Sequence, residues 1–295
     1  MRLTQPVALA LFALARWQQQ LAVRRQQRQS LACAAVSGAA VDQLRERLPE
    51  VLAAAGCSGG ATELWGVRLG RSADAGGERA LLAHFLRARE EDVDAAAAML
   101  TSTIRWRRDE GVDRMDAVRD FPDFPPGLHL AGPHLAVMPL GKLLLEHYRN
   151  PQFARWAVCT HEATVRTFLS ARGGGAACGG AAADTAPPTL TLLIDARGLA
   201  RHHFGVAARK CAAEVSRIFQ DFYPDFLAQI LIVNAPPLFS CGWALLRPFL
   251  PRRFTDMARP VSTRDVRLIE HFAECPADYD APKPDATTPR QAPAT

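Results

Sequence analysis

The sequence predicts an α/β fold: a small N-terminal helical bundle followed by a lobe built on a mostly parallel sheet. Three observations carry that prediction. Residues 41–118 repeat apolar positions at helical spacing. Leu190–Ile194 and Ile230–Val233 are continuous apolar runs, the pattern of strands covered on both faces. A helix-length segment, Val206–Phe219, lies between them, so strand, helix and strand make a βαβ unit with a right-handed crossover.

The elements follow in order. Residues 1–41 read either as an organelle-addressing segment or as a non-folding extension. Their apolar run, Pro6–Ala15, is too short to span a bilayer, and Arg16-Trp17 stands where a secretory cleavage site needs small residues. Val41–Ala55 is a first helix, followed by a Gly/Ser connector, and Arg71–Gly77 is a second connector. Leu81, Leu82, Phe85 and Leu86 mark the next helix. Asp92 stands at an N-cap position ahead of Val93, Ala97, Leu100 and Ile104, and Gly111 stands where that helix ends. His134–Met138 is a strand and Phe153–Arg172 an amphipathic helix, which runs into a Gly/Ala-rich linker, 173–183. Cys241–Leu250 and Thr263–Phe272 are further helices, and the Pro/Ala/Thr/Asp-rich end is a disordered tail. The expected division is 42–118 for the helical module, 119–281 for the lobe and 282–295 for the tail.

Charge narrows the partners. The net charge of +5 arises in residues 1–41, which hold five arginines (Arg2, Arg16, Arg24, Arg25, Arg28) and no acid. The remaining 30 basic residues balance 30 acidic ones, so a nucleic-acid partner is not expected. Seven scattered cysteines without a C-x-x-C pair argue against a disulfide framework or a zinc site, and for a reducing compartment. No other stretch is long and apolar enough for a membrane span, so membrane contact would be peripheral.

No catalytic set assembles. The clusters Gly173-Gly174-Gly175 and Gly179-Gly180 follow no strand and lack phosphate-loop spacing. His202-His203 lies past a strand end without a third ligand, and an exposed pair is the default reading. His161-Glu162 lacks the second histidine of a zincin motif, and no Gly-x-Ser-x-Gly elbow is present. The reading is therefore of a non-enzymatic protein with no cofactor or metal.

Ordered segments resemble the CRAL-TRIO lipid-binding family. They begin with Leu82–Val93 (LAHFLRAREEDV), Ile104-Arg105-Trp106-Arg107 and Pro126-Gly127-Leu128-His129. Leu193–Leu199 (LIDARGL), Gln220–Pro224 (QDFYP) and Ile232–Pro236 (IVNAP) follow. Phe239-Ser240, Trp243, Arg247-Pro248-Phe249-Leu250 and Pro276-Ala277-Asp278-Tyr279 complete the set, over residues 78–281. The resemblance implies a lobe that encloses an apolar cavity on its sheet beneath a movable lid. The implied lid is Cys241–Leu250, with Trp243, Leu246, Phe249 and Leu250 as its apolar face; the competing reading is that these residues simply pack on the core. Leu190, Leu192, Ile194 and Phe239 complete the implied lining. Leu190 and Leu192 stand where phosphatidylcholine-binding members carry Ser and Thr. Asp225-Phe226 replaces Glu-Arg, and a family lysine falls near Met257. Arg89 matches an arginine that contacts the inositol phosphate region, with a helix-end or surface salt bridge as the competing role.

The implied function is a carrier of one hydrophobic molecule or phospholipid, cytoplasmic and touching membranes transiently, with organelle import if residues 1–41 are an address. The missing donors leave room for a less polar cargo such as a sterol, retinoid or tocopherol. A protein-interaction module using the lobe as a docking surface is the alternative, and an enzyme ranks third.

Overall fold

The structure, a computed structural model, describes residues 36–57, 59–70, 75–170, 187–236 and 239–261. The expected Gly/Ala linker, the helix at 263–272, the closing 276–279 motif and nearly all of the N-terminal segment lie outside the described residues.

The N-terminal module is helical. Helices α1 (Gly38–Glu46) and α2 (Leu48–Ala54) occupy the region expected as one helix. The break at Arg47 has a cause in Pro49, which has no N–H to donate and whose ring crowds the carbonyl four residues back. Pro49 is instead tolerated in the first turn of α2. Helix α3 (Ala75–Ala88) buries Leu81, Leu82, Phe85 and Leu86. Helix α4 (Val93–Glu110) is capped as its sequence demands: the Asp92 carboxylate accepts from the Ala95 N–H at 2.9 Å, and Gly111 closes the helix at φ +65°.

The module also holds a hairpin that periodicity did not reveal. Strands β1 (Thr62–Leu64) and β2 (Val67–Leu69) pair antiparallel across the two-residue loop Trp65-Gly66. Both loop residues have positive φ, +51° and +84°, as tight hairpin turns with the native twist require. Glycine adopts this readily; tryptophan does so at a cost of roughly 1–2 kcal/mol, against burial of the whole indole, which is 1% exposed.

The lobe carries a five-stranded sheet in the order β3 (His129–Gly132), β4 (Leu135–Met138), β5 (Leu190–Asp195), β6 (Leu227–Val233) and β7 (Ala258–Pro260). Only β3–β4 is antiparallel. Short helices α5 (Ala117–Asp120) and α6 (Leu145–Arg149) lead to α7 (Phe153–Ser170), and α8 (Val206–Phe222) connects the parallel neighbours β5 and β6. Helices α9 (Phe239–Leu246) and α10 (Arg252–Met257) lie between β6 and β7.

One apolar core joins module and lobe. Leu81, Phe85 and Leu100 share it with Val165, Phe168, Tyr223 and Phe226. At its centre is a buried polar knot: Glu162 Oε1 accepts from Trp65 Nε1 at 3.0 Å, Arg107 Nη1 at 2.7 Å and the Tyr223 hydroxyl. Burial opposes the Arg107 charge, yet Glu162 and then Asp113 outweigh it and raise the guanidinium pKa.

Candidate functional site

Strand alternation gives the sheet two unlike faces. On one, the register aligns Leu130, Ala136, Leu192, Ile230 and Ala258 in a row. The next row is Met138, Ile194, Ile232 and Pro260. Neither row contains a polar side chain. On the other face Gln229 Nε2 donates to Thr191 Oγ1, and Arg259 Nη2 to Gln229 Oε1, each at 3.1 Å. Polar chemistry is thus confined to one side of the sheet.

The apolar face is covered by Phe239 and Trp243 of α9, Phe204 from the turn after β5, and Phe254 and Met257 of α10. The rings of Phe239 and Trp243 stack at 5.7 Å. Helix α9 fits closely because residue 242 is glycine: a Cβ there would stand 2.5 Å from the Phe204 ring. The outer side of this cover is itself apolar, with Leu245 53% and Phe249 42% exposed, and the Arg209 guanidinium lies over the Phe249 ring at 5.6 Å.

The expected lining residues divide. Leu192, Ile194, Phe239 and Trp243 meet in one apolar cluster. Leu190, the first residue of β5, joins the helical core with Phe168 and Tyr223. Leu246 and Leu250 are half-buried and Phe249 is exposed. Arg89 donates to the carbonyls of Ala88 and Gln220, both 3.3 Å away, at the ends of α3 and α8.

Sequence reasoning missed Phe204, Phe254 and Met257 in the cover, and an ion-pair cluster at its edge. Asp225 pairs with Arg87 at 3.1 Å and also with Arg253 of α10. Arg87 and Asp225 are buried, whereas the Arg253 side chain is 46% exposed. One carboxylate therefore ties α3 of the module to α10 of the cover. Alternation in β3–β6 was the available signal for the floor; nothing local marks the ion pair.

The other titratable groups are structural. His84 is fully buried, hydrogen-bonded through Nδ1 to the Asp225 carbonyl at 2.8 Å, and burial, then the Arg87 charge, holds its pKa down to about 3. The His202-His203 pair is not exposed as expected. His203 is buried and accepts from the Ala200 N–H at 2.9 Å, His202 donates to the Leu143 carbonyl at 2.9 Å, and their rings lie 4.1 Å apart. Burial lowers the His203 pKa and pushes the Cys159 and Cys211 thiols up to about 11. Among the described residues no group of three or more His, Cys, Asp or Glu is placed to hold a metal ion. No described helix is long and apolar enough to cross a membrane.

Comparison with known proteins points the same way. The CRAL/TRIO domain profile matches residues 127–279, and the CRAL/TRIO N-terminal domain profile matches residues 40–102. Patellin-4 of Arabidopsis thaliana is 28% identical over 231 residues, covering 74% of this chain and 40% of its own length. The phosphatidylinositol/phosphatidylcholine transfer protein SFH4 of the same plant is 28% identical over 184 residues, 58% of this chain and 29% of its own length. The SEC14 cytosolic factor of Eremothecium gossypii is 27% identical over 185 residues, 57% of each chain. The chain thus spans less than two thirds of each of these relatives. Among solved structures, that of Sfh5 superposes with a TM-score of 0.57 over 79% of this chain and 82% of its own, at 17% identity.

Proposed function

The chain belongs to the CRAL/TRIO family, and we propose that it is a non-enzymatic carrier that holds one hydrophobic molecule against the apolar face of its sheet. The observation that carries the reading is the two-row floor, from Leu130 to Ala258 and from Met138 to Pro260, unbroken by any polar side chain. The names of SFH4 and its kin, phosphatidylinositol/phosphatidylcholine transfer proteins, support lipid as the class of cargo.

The physical demand on such a carrier is large. Each buried methylene is worth ~0.8 kcal/mol, so a two-chain lipid with about thirty of them resists leaving a bilayer by on the order of 20 kcal/mol. A dry surface must replace the bilayer, and it must open only where the cargo is exchanged. In this reading α9 is the lid. Its inner residues Phe239 and Trp243 lift from the floor together, and the Phe204 turn is the surface they leave. Exchange takes place at a membrane, with the protein otherwise in the cytoplasm.

Arg89 serves helix ends in the arrangement described above, and Asp225 already engages Arg87 and Arg253. A phosphate needs paired donors inside such a pocket, so a weakly polar cargo fits the reading better than a phosphoinositide. Transfer between vesicles tests it. Labelled sterol and labelled phosphatidylinositol are offered in parallel; movement of sterol with little phosphatidylinositol is expected. Movement of neither lipid, with binding of a protein partner through the lobe, would replace the carrier by a docking module.

A further inference from the structure

Two turns that follow parallel strands form one surface. Residues 140–144 follow β4 and residues 196–204 follow β5. They touch backbone to backbone: a Cβ at Gly141 would stand 1.7 Å from the Arg197 carbonyl oxygen. His202 donates to the Leu143 carbonyl at 2.9 Å, and α6 packs on α8. The carboxyl ends of parallel strands are where open α/β sheets present their ligand sites. Next to these turns lies a surface recess of about 480 Å³, lined by Leu145, Glu146, Arg149, Asn150 and Pro151. Leu144 beside it is 48% exposed, and Val206, four residues beyond His202, is 61% exposed.

The same surface is basic. Residues 140–151 and 196–210 hold Lys142, Arg149, Arg197, Arg201, Arg209 and Lys210 against Glu146 as their sole acid. Lys142, Arg149, Arg197, Arg201 and Lys210 are exposed, and none makes an ion pair with another described residue. The helical module differs: there Arg45 pairs with Glu78, Arg47 with Asp94 and Arg79 with Asp42. Cations held without counter-charges around an apolar recess call for an acidic partner, because protein surfaces that bind each other present potentials of opposite sign.

We infer that the recess on α6 and the cations around it form a docking site for an acidic peptide segment of a partner protein. An apolar side chain of that segment sits beside Leu145 and Pro151, and the carboxylates flanking it face Lys142, Arg149 and Arg201, as in the recognition of acidic motifs by arginine clusters. A recess of about 480 Å³ admits an anchoring side chain with its neighbours; a bilayer, being flat, leaves a recess of this kind unfilled. None of the lining residues belongs to the apolar floor or its cover, so the site lies beyond the carrier reading and gives the lobe a protein partner.

Fluorescence anisotropy of a labelled peptide of Glu-Glu-Leu repeats, titrated with the full chain, tests it. The expected result is saturable binding that weakens in high salt, with a peptide of Lys-Lys-Leu repeats left free. An exposed ion pair contributes up to about fivefold, so Lys142→Glu with Arg149→Glu should weaken binding about tenfold or more. Leu144→Ser should also weaken it. Arg68→Glu with Arg217→Glu makes the same change in net charge on other parts of the surface and should leave binding unchanged, and every variant should keep the wild-type melting temperature. No binding of the acidic peptide, equal losses in the two charge-reversed pairs, or binding to phosphatidylserine vesicles in place of the peptide would overturn the inference. Sterol transfer measured on the same preparations separates the two readings. A chain that moves sterol but leaves the acidic peptide free removes the docking site alone, and one that binds the peptide but moves no lipid removes the carrier alone.

Discussion

Arg107 on α4 and Glu162 on α7 meet at 2.7 Å, with side chains only 2% and 7% exposed, and so pin the helical module to the lobe. Trp65 and Tyr223 donate to the same carboxylate oxygen, and the Arg107 guanidinium also lies 4.9 Å over the Trp65 ring. Removing one partner strands a buried charge, which costs more than the pair itself contributes. Glu162→Ala should therefore lower the unfolding free energy by about 3 kcal/mol. Urea unfolding of the two proteins checks it, and a loss below about 1 kcal/mol, typical of an exposed pair, would show that the knot is not a structural anchor.

His84 gives stability a pH dependence. Its folded-state pKa is held down to about 3, so it stays neutral in the folded protein and takes up a proton on unfolding below its ordinary value near 6.5. The stability this histidine governs is intact above that value and falls as pH drops from 6.5 toward 3. Between pH 7.5 and pH 5 the loss amounts to about 2 kcal/mol. Denaturation across that range should show a flatter pH profile for His84→Phe than for the wild type; superimposable slopes would contradict the assignment.

Gly242 sets the fit of α9 on the Phe204 ring. Gly242→Ala places a methyl where the ring stands, so α9 must shift outward. The expected outcome is faster exchange of bound lipid with vesicles, several-fold, with the rest of the fold retained. Unchanged exchange alongside a confirmed bound lipid would mean that α9 is not the lid.

Asp225 and Arg253 separate stability from motion. Asp225→Ala removes a buried carboxylate that two arginines share and should cost roughly 3 kcal/mol or more. Arg253→Ala removes a half-exposed partner and should cost less than about 1 kcal/mol. It frees α10 from the module, however, and should speed lipid exchange. Stopped-flow transfer alongside urea melts measures both, and equal stability losses would contradict the assignment.

Local chemistry was legible in the sequence; remote pairing was not. Asp92 and Gly111 announced the ends of α4 because a cap depends on residues within a turn of it. The runs at Leu190–Ile194 and Ile230–Val233 announced buried parallel strands. The Trp65-Gly66 hairpin stayed hidden because its strands are three residues long and its turn lacks the usual Asn-Gly or Asp-Gly. The resemblance placed Leu190 in the lining with Leu192 and Ile194, whereas its side chain packs into the helical core. Asp225 meets Arg253 across 28 residues and Arg87 across 138, and no periodicity reports a contact of that kind.

In the carrier reading a hydrophobic molecule lies against the two-row apolar floor when α9 lifts from it. Native mass spectrometry of the purified full chain measures this directly. A single added mass per chain is expected, released on unfolding and identified as one lipid. A chain that flies at its bare polypeptide mass, and stays bare after incubation with sterol- and phospholipid-containing vesicles, would contradict it.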